Sequence, residues 1–218
     1  MIEAVVFDLD GVIVDSEQVW DAAREDLARE RGGRWHEGAQ RDMMGMSSLE
    51  WSRYMHDRIG LSEPPEEISA EVVRRLESIY RRELPLIEEA PEAVARLARR
   101  WPLAVASSSN RPIIDLVLDL SGLYRYFRAT VSSEEVARGK PAPDVYLEAA
   151  RRLGVDPIRT AAVEDSRNGI RSAKAARMRV VAIPNPRYPP GEEALGAADI
   201  VLRSIRELTP ATVDENVT

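Results

Sequence analysis

The sequence predicts a doubly wound α/β fold, a Rossmann-like parallel sheet interrupted by an all-helical insertion. Three observations predict it. Short apolar runs recur along the chain and are continuous rather than alternating, as strands covered by helices on both faces must be. Helical periodicity fills the intervals between them. One long interval, between the first and second runs, carries helical patterns alone.

The buried strands are expected at residues 4–7, 103–106, 160–163, 180–183 and 200–202, with a weaker one at 129–132. Among the helices, Pro91 sits where a first-turn proline belongs, followed at helical spacing by Val94, Leu97 and Trp101. Pro112 opens a second helix that ends before Gly122, a third spans 142–153 before Gly154, and a fourth spans 166–176. In the insertion, Trp20, Ala23 and Leu27 mark one helix face, and Ile68, Val72, Leu76 and Ile79 another. Ser47 followed by Glu50 fits a capping box. Residues 1–15 and 83–218 are therefore expected to form the core and residues 16–82 a helical cap, with crossings near 15–17 and 83–86. The tail after Pro210 is expected to fray.

The chain has 218 residues, 44% hydrophobic and 31% charged, which suits a folded globular protein with a substantial core. A net charge of −7 argues against a nucleic-acid partner. With no cysteine, thiol catalysis, disulfides and zinc–thiolate sites are excluded. The first apolar run is short, has no basic start and is broken by Asp8 and Asp10, unlike a signal peptide; no stretch approaches the ~18 apolar residues of a membrane span. A cytoplasmic monomer with no membrane or nucleic-acid partner is expected. Of 30 basic residues only Lys140 and Lys174 are lysines, so each stands out against an arginine background.

Ligands of open α/β sheets bind beyond the C-terminal strand ends. After the first strand comes Asp8-Leu9-Asp10-Gly11; two acids one residue apart can share a site, or simply form a turn. After the second comes Ser107-Ser108-Ser109-Asn110, which would hold an anion at a helix start or only cap it. Glu164-Asp165-Ser166 follows another strand, and adjacent acids there call for a hard cation unless they serve as caps. Lys140 lies in Arg138-Gly139-Lys140-Pro141, where a lone lysine is either functional or solvated. A turn, helix caps or a solvated lysine explain the motifs one by one, but no single such reading explains all four at one sheet edge.

The stretches VVFDLDGVIVDSE, AVASSSN, GKPAPDVYLEAA and AVEDSRNGI resemble, in order and spacing, the four motifs of the haloacid dehalogenase superfamily. The insertion is similar to the cap of the branch containing β-phosphoglucomutase and many sugar-phosphate phosphatases. The resemblance implies that Asp8 attacks phosphorus, that Asp10 acts as acid and then base, that Ser107 contacts the phosphoryl group and that Lys140 offsets charge. It implies Mg²⁺ held by Asp8, the Asp10 carbonyl, Glu164 and Asp165. Such a cation has physical work to do: at ~4 Å two unit charges repel by roughly 4 kcal/mol at an effective dielectric near 20.

Glu17, Ser47, Ser48, Ser108 and Asn110 are the expected substrate contacts. Within the superfamily, Asp10 and the Glu164-Asp165 pair argue against metal-free dehalogenation. The absence of lysine from residues 16–82 argues against Schiff-base phosphonate cleavage. The mutase's cap arginine has no counterpart in Gly45-Met46-Ser47-Ser48, with Arg41 and Arg53 the available replacements, and Trp20 stands where the mutase has a histidine. Retention of both Asp8 and Asp10 argues against a non-catalytic binding protein. The expectation is a phosphatase acting on a small phosphomonoester, a sugar or polyol phosphate, with a sugar phosphomutase as the alternative.

Overall fold

The computed structural model describes residues 1–44 and 46–214; Gly45 and the last four residues lie outside it. Six strands, β1 (Ala4–Phe7), β2 (Leu103–Ser107), β3 (Phe127–Ser132), β4 (Thr160–Glu164), β5 (Arg179–Ala182) and β6 (Ile200–Val201), form one sheet. Their order is β3-β2-β1-β4-β5-β6 and every pairing is parallel. This doubly wound order reverses beside β1, placing a crevice at the tips of β1, β2 and β4.

Alternation along the strands explains the two helical layers. Val5 and Phe7 of β1, Leu103 and Val105 of β2 and Val163 of β4 belong to one apolar cluster. It also holds Val94 and Leu97 of α5 (Ala90–Ala98) and Ile113 and Val117 of α6 (Arg111–Leu120). Val6, Ala104 and Ala162 face the other way. They pack with Tyr146 of α7 (Asp144–Leu153), Ile170 of α8 (Arg167–Ala175) and Ala194 of α9 (Glu192–Ala197).

Between β1 and α5 lie α1 (Glu17–Glu30), α2 (Ala39–Met43), α3 (Ser48–Tyr54), a π-helical turn (Met55–Ile59) and α4 (Pro65–Arg82). Trp20 and Leu27 of α1, Trp51 of α3 and Ile68, Val72 and Leu76 of α4 are buried together, as the periodicity predicts. The Glu50 carboxylate accepts hydrogen bonds from the Ser47 N–H (2.8 Å) and hydroxyl (2.7 Å), fixing the start of α3. The two chain segments that enter and leave this helical interval run side by side: Asp15 N–H donates to the Pro85 carbonyl (2.8 Å) and Ile87 N–H to that of Ile13 (3.0 Å).

The expected fraying after Pro210 is not seen over Pro210–Asp214, which form α10 with Val213 fully buried; residues 215–218 lie outside the described residues. Thr209 and Thr212 explain α10: each backbone N–H donates to the other's hydroxyl, at 2.8 and 3.2 Å, which caps a helix otherwise too short to persist. Among the described residues no helix is long and apolar enough to cross a membrane.

Candidate active site

The tip of β1 delivers Asp8 with its backbone still in the sheet, its N–H donating to the Val163 carbonyl at 2.9 Å. Its carboxylate accepts from the Leu9 N–H (2.8 Å) and pairs with Lys140 Nζ (2.9 Å). Gly11 completes the turn at φ 77°, and a Cβ there would stand 1.9 Å from Asp165 Oδ2. Gly11 therefore meets both a positive φ and a close approach, and Asp165 of the β4 tip packs directly against the β1 turn.

Asp10 is locked from two sides. One oxygen accepts from the Ser16 hydroxyl (2.5 Å) and Trp20 Nε1 (3.2 Å), both at the start of the helical interval. The other accepts from the Ser109 hydroxyl (2.6 Å) and, more weakly, that of Ser107 (3.4 Å), from the β2 tip.

Lys140 is buried between two carboxylates, 2.9 Å from Asp8 and 2.6 Å from Glu164. Burial works against its charge, but Asp8 and Glu164 more than offset this and hold the ammonium protonated, above the usual lysine range. Glu164 is fully enclosed. Its Oε1 accepts from Lys140 and the Tyr146 hydroxyl (2.7 Å), and its Oε2 from the N–H groups of Asp165 (3.1 Å) and Ser166 (3.2 Å) and the Ser166 hydroxyl (3.1 Å). Asp165, by contrast, has no hydrogen-bond partner for its carboxylate among the described residues. Burial, then the neighbouring charge of Glu164, pushes the carboxyls of both Asp8 and Asp165 well above the ordinary range.

One ammonium does not balance these acids. Carboxylate oxygens of Asp8, Glu164 and Asp165 all lie within 4.8 Å of one another. An all-oxygen donor set with surplus negative charge fits a hard divalent cation. Glu164 has both oxygens already engaged by protein donors, so Asp8 and Asp165 are the freer ligands, and Glu164 also orients Lys140.

The cleft above this cluster is lined by Asp8, Asp10, Lys140 and Asp165 from the sheet side, and by Glu17, Trp20 and Arg24 of α1 and Trp51 of α3 opposite. Of the expected substrate contacts it contains Glu17 and Ser108, not Ser47, Ser48 or Asn110. Burial, then the charge of Asp10, raises the Glu17 carboxyl to about 7. The Ser48 hydroxyl donates to Glu134 (3.0 Å), as does Asn110 Nδ2 (2.7 Å), which also reaches Ser69 of α4 (3.3 Å). Ser47 and Ser48 line a separate lateral hollow with Ser69 and Glu134. The reason is local: with α3 capped by Ser47 and Glu50, its first turn abuts the β3–α7 loop, where Glu134 collects its donors. Ser107 is fully buried, and its hydroxyl accepts from the Ser109 N–H (3.0 Å), so Ser108 and Ser109 line the cleft instead. Arg41 and Arg53 are exposed and line no part of it. Sequence reasoning missed Ser109 and Arg24. Arg24 was detectable only as the residue seven beyond Glu17 and four beyond Trp20 on α1.

The comparisons agree with this geometry. A family model described as haloacid dehalogenase-like hydrolase matches residues 2–177. Hexitol phosphatase B of Escherichia coli (strain K12) is 35% identical over 212 residues, covering 94% of each chain. The fructose-1-phosphate phosphatase YqaB of the same organism is 33% identical over 183 residues, covering 81% of this chain and 94% of that protein. A crystal structure of CbbY from Rhodobacter sphaeroides in complex with xylulose-(1,5)bisphosphate superposes with a TM-score of 0.89 at 28% identity, covering 99% of this chain and all of that one. The acid-tipped parallel sheet and the matches over nearly its whole length place this chain in the haloacid dehalogenase-like hydrolases, in their sugar-phosphate phosphatase branch.

Proposed function

We propose that the protein is a Mg²⁺-dependent phosphatase that hydrolyses a small sugar or polyol phosphate through an aspartyl-phosphate on Asp8. The observation that carries this reading is the pairing of two acids in one cleft with different surroundings. Asp8 lies against the Lys140 ammonium, and Asp10 lies among hydroxyl and indole donors. The named phosphatase relatives support the reaction class.

Asp8, Asp165 and Glu164, with the Asp10 carbonyl, would hold the cation. When bound, Mg²⁺ neutralises the repulsion between the Asp8 carboxylate and the phosphoryl oxygens. Lys140 favours the ionised form of Asp8 against the burial that raises its carboxyl, and adds positive charge where the oxygens gather. Asp8 Oδ attacks phosphorus; the bond from phosphorus to the ester oxygen breaks, and Asp10 gives that oxygen its proton. A water then attacks the same phosphorus and yields a proton to Asp10, which releases phosphate and restores Asp8. The Ser16 and Ser109 hydroxyls can donate to the Asp10 carboxylate or accept from its acid form, so Asp10 stays in place through both states. Ser108 and Ser109 flank the phosphoryl position.

Residues 1–15 and 83–218 form the catalytic unit in this reading, and 16–82 the cap. The cleft has a cavity of about 50 Å³. A water requires ~10–15 Å³ by this measure, so a few waters fit and a hexose phosphate does not. The paired crossings at Asp15–Pro85 and Ile13–Ile87 are the hinge on which the cap opens.

The test is phosphate release from a panel of sugar and polyol phosphates with Mg²⁺. Asp8→Asn is expected to lower kcat by about four orders of magnitude with the melting temperature retained, and EDTA to stop turnover. Substantial turnover by Asp8→Asn, or rates indifferent to EDTA, would contradict the assignment. Conversion of β-glucose 1-phosphate, primed with bisphosphate, to glucose 6-phosphate without phosphate release would identify a mutase.

A further inference from the structure

Arg24 has no part in the chemistry above. The spacing of Glu17, Trp20, Arg24 and Leu27 puts them on one face of α1. The Arg24 guanidinium lies 4.8 Å from the ring centroids of both Trp20 and Trp51, whose rings meet edge-on at 5.9 Å. The residue is only 7% exposed and lines the catalytic cleft. Yet among the described residues it forms no hydrogen bond and no ion pair, and its Nε is buried without a partner.

A buried cation without partners is costly, and aromatic faces compensate it only in part. Burial lowers the guanidinium to about 10, although Glu17, Asp21 and Asp10 act in the opposite direction. An apolar side chain would fill the space between two indoles without that cost. The planar fork of donors matches a carboxylate or a phosphate, whereas a hydroxyl brings no charge to balance it.

We propose that Arg24 is a substrate-binding residue that selects phosphate esters whose leaving group carries a second anionic group, a carboxylate or a phosphate. This rests on the phosphatase reading and narrows its substrate class. Lys140 then serves the reacting phosphoryl group and Arg24 the far end of the same molecule, with Met44 and Met46 lining the cleft beside the carbon skeleton.

The experiment measures kcat/KM on matched pairs: 6-phosphogluconate against glucose 6-phosphate, and fructose 1,6-bisphosphate against fructose 6-phosphate. The wild type is expected to favour the doubly anionic member of at least one pair by tenfold or more, and which pair responds tells carboxylate from phosphate. Arg24→Gln is expected to reduce that ratio at least tenfold, and Arg24→Lys, which keeps charge without the fork, to fall between. Arg24→Lys also serves if Arg24→Gln does not fold. A wild type without preference, or variants that lose both members of a pair equally, would reduce Arg24 to a packing residue and overturn the proposal while leaving the phosphatase reading intact. Failure to hydrolyse any ester overturns both.

Discussion

The two walls of the cleft are built in different ways. At the sheet edge, Asp8, Ser107 and Glu164 lie at or next to strand ends, where the backbone ladder sets their positions, and Lys140 is clamped between two of them. Across the cleft, Glu17, Trp20, Arg24 and Trp51 are presented by helices whose places depend on side-chain packing. The first wall is rigid, highly charged and, Asp165 apart, internally paired; the second is amphipathic and leaves a cation without a partner among the described residues. Rigid positioning suits chemistry that every member of a family shares. A wall set by packing can be rebuilt for each substrate without disturbing that chemistry.

Substitutions should therefore behave differently on the two sides. The largest effect is expected from Lys140→Met. It leaves Asp8 and Glu164 buried without their shared cation, at a cost of about 3–5 kcal/mol of stability as well as turnover. Chemical denaturation at neutral pH measures it, and an unchanged midpoint would mean that the ion pair does not hold the sheet-edge wall together.

Glu17, on the boundary, should give an intermediate and pH-dependent effect. Burial raises its folded-state carboxyl from 4.5 to about 7, so between those values the folded chain binds more protons than the unfolded one. Its contribution to stability is complete below the lower value and is lost as pH rises through the upper one. Glu17→Gln in the presence of EDTA should thus melt higher than the wild type at pH 8, by roughly 1–3 kcal/mol at most, and equally at pH 4.5. A difference independent of pH would show that charge burial is not the cause.

The smallest effect is expected outside the cleft, in the lateral hollow beside the helical wall. Ser48→Ala removes one hydrogen bond to Glu134, which keeps those from Asn110 and the Arg111 N–H. In the proposed cap motion the closed state weakens by about 0.5–1 kcal/mol, read as a ~2–5-fold rise in KM with kcat nearly constant. A large loss of kcat instead would place the Ser48 contact within the chemistry and blur the contrast between the walls.

The sheet-edge wall was legible from the chain for the same reason that it is rigid. Continuous apolar runs mark strands, and the residues after each run lie at the crevice, so Asp8, Asp10, Glu164 and Asp165 could be named without coordinates; Lys140 follows no such run and is reached only through the resemblance of its motif. The helical wall was legible as helices but not as a surface. Ser47, Ser48 and Asn110 looked like substrate contacts, but the packing of α3 against the β3–α7 loop directs Ser48 and Asn110 to Glu134 and Ser47 into the same hollow. Ser109 was hidden within a run of three serines, because which hydroxyl reaches Asp10 depends on the turn after β2. Helical periodicity identifies a buried face without saying what it is buried against, and so nothing in the sequence sets Arg24 apart from the other arginines of the insertion.

By itself, then, the sequence determined the doubly wound core, the helical insertion and the acids at the strand tips, because backbone hydrogen bonding and alternation convert local pattern directly into position. Only the tertiary structure decided which helix face closes the cleft, that Glu164 is engaged by Lys140, Tyr146 and the β4–α8 turn, and that a guanidinium lies between two indoles with no ion pair among the described residues. Those outcomes depend on contacts between residues far apart in the chain, which no local periodicity encodes.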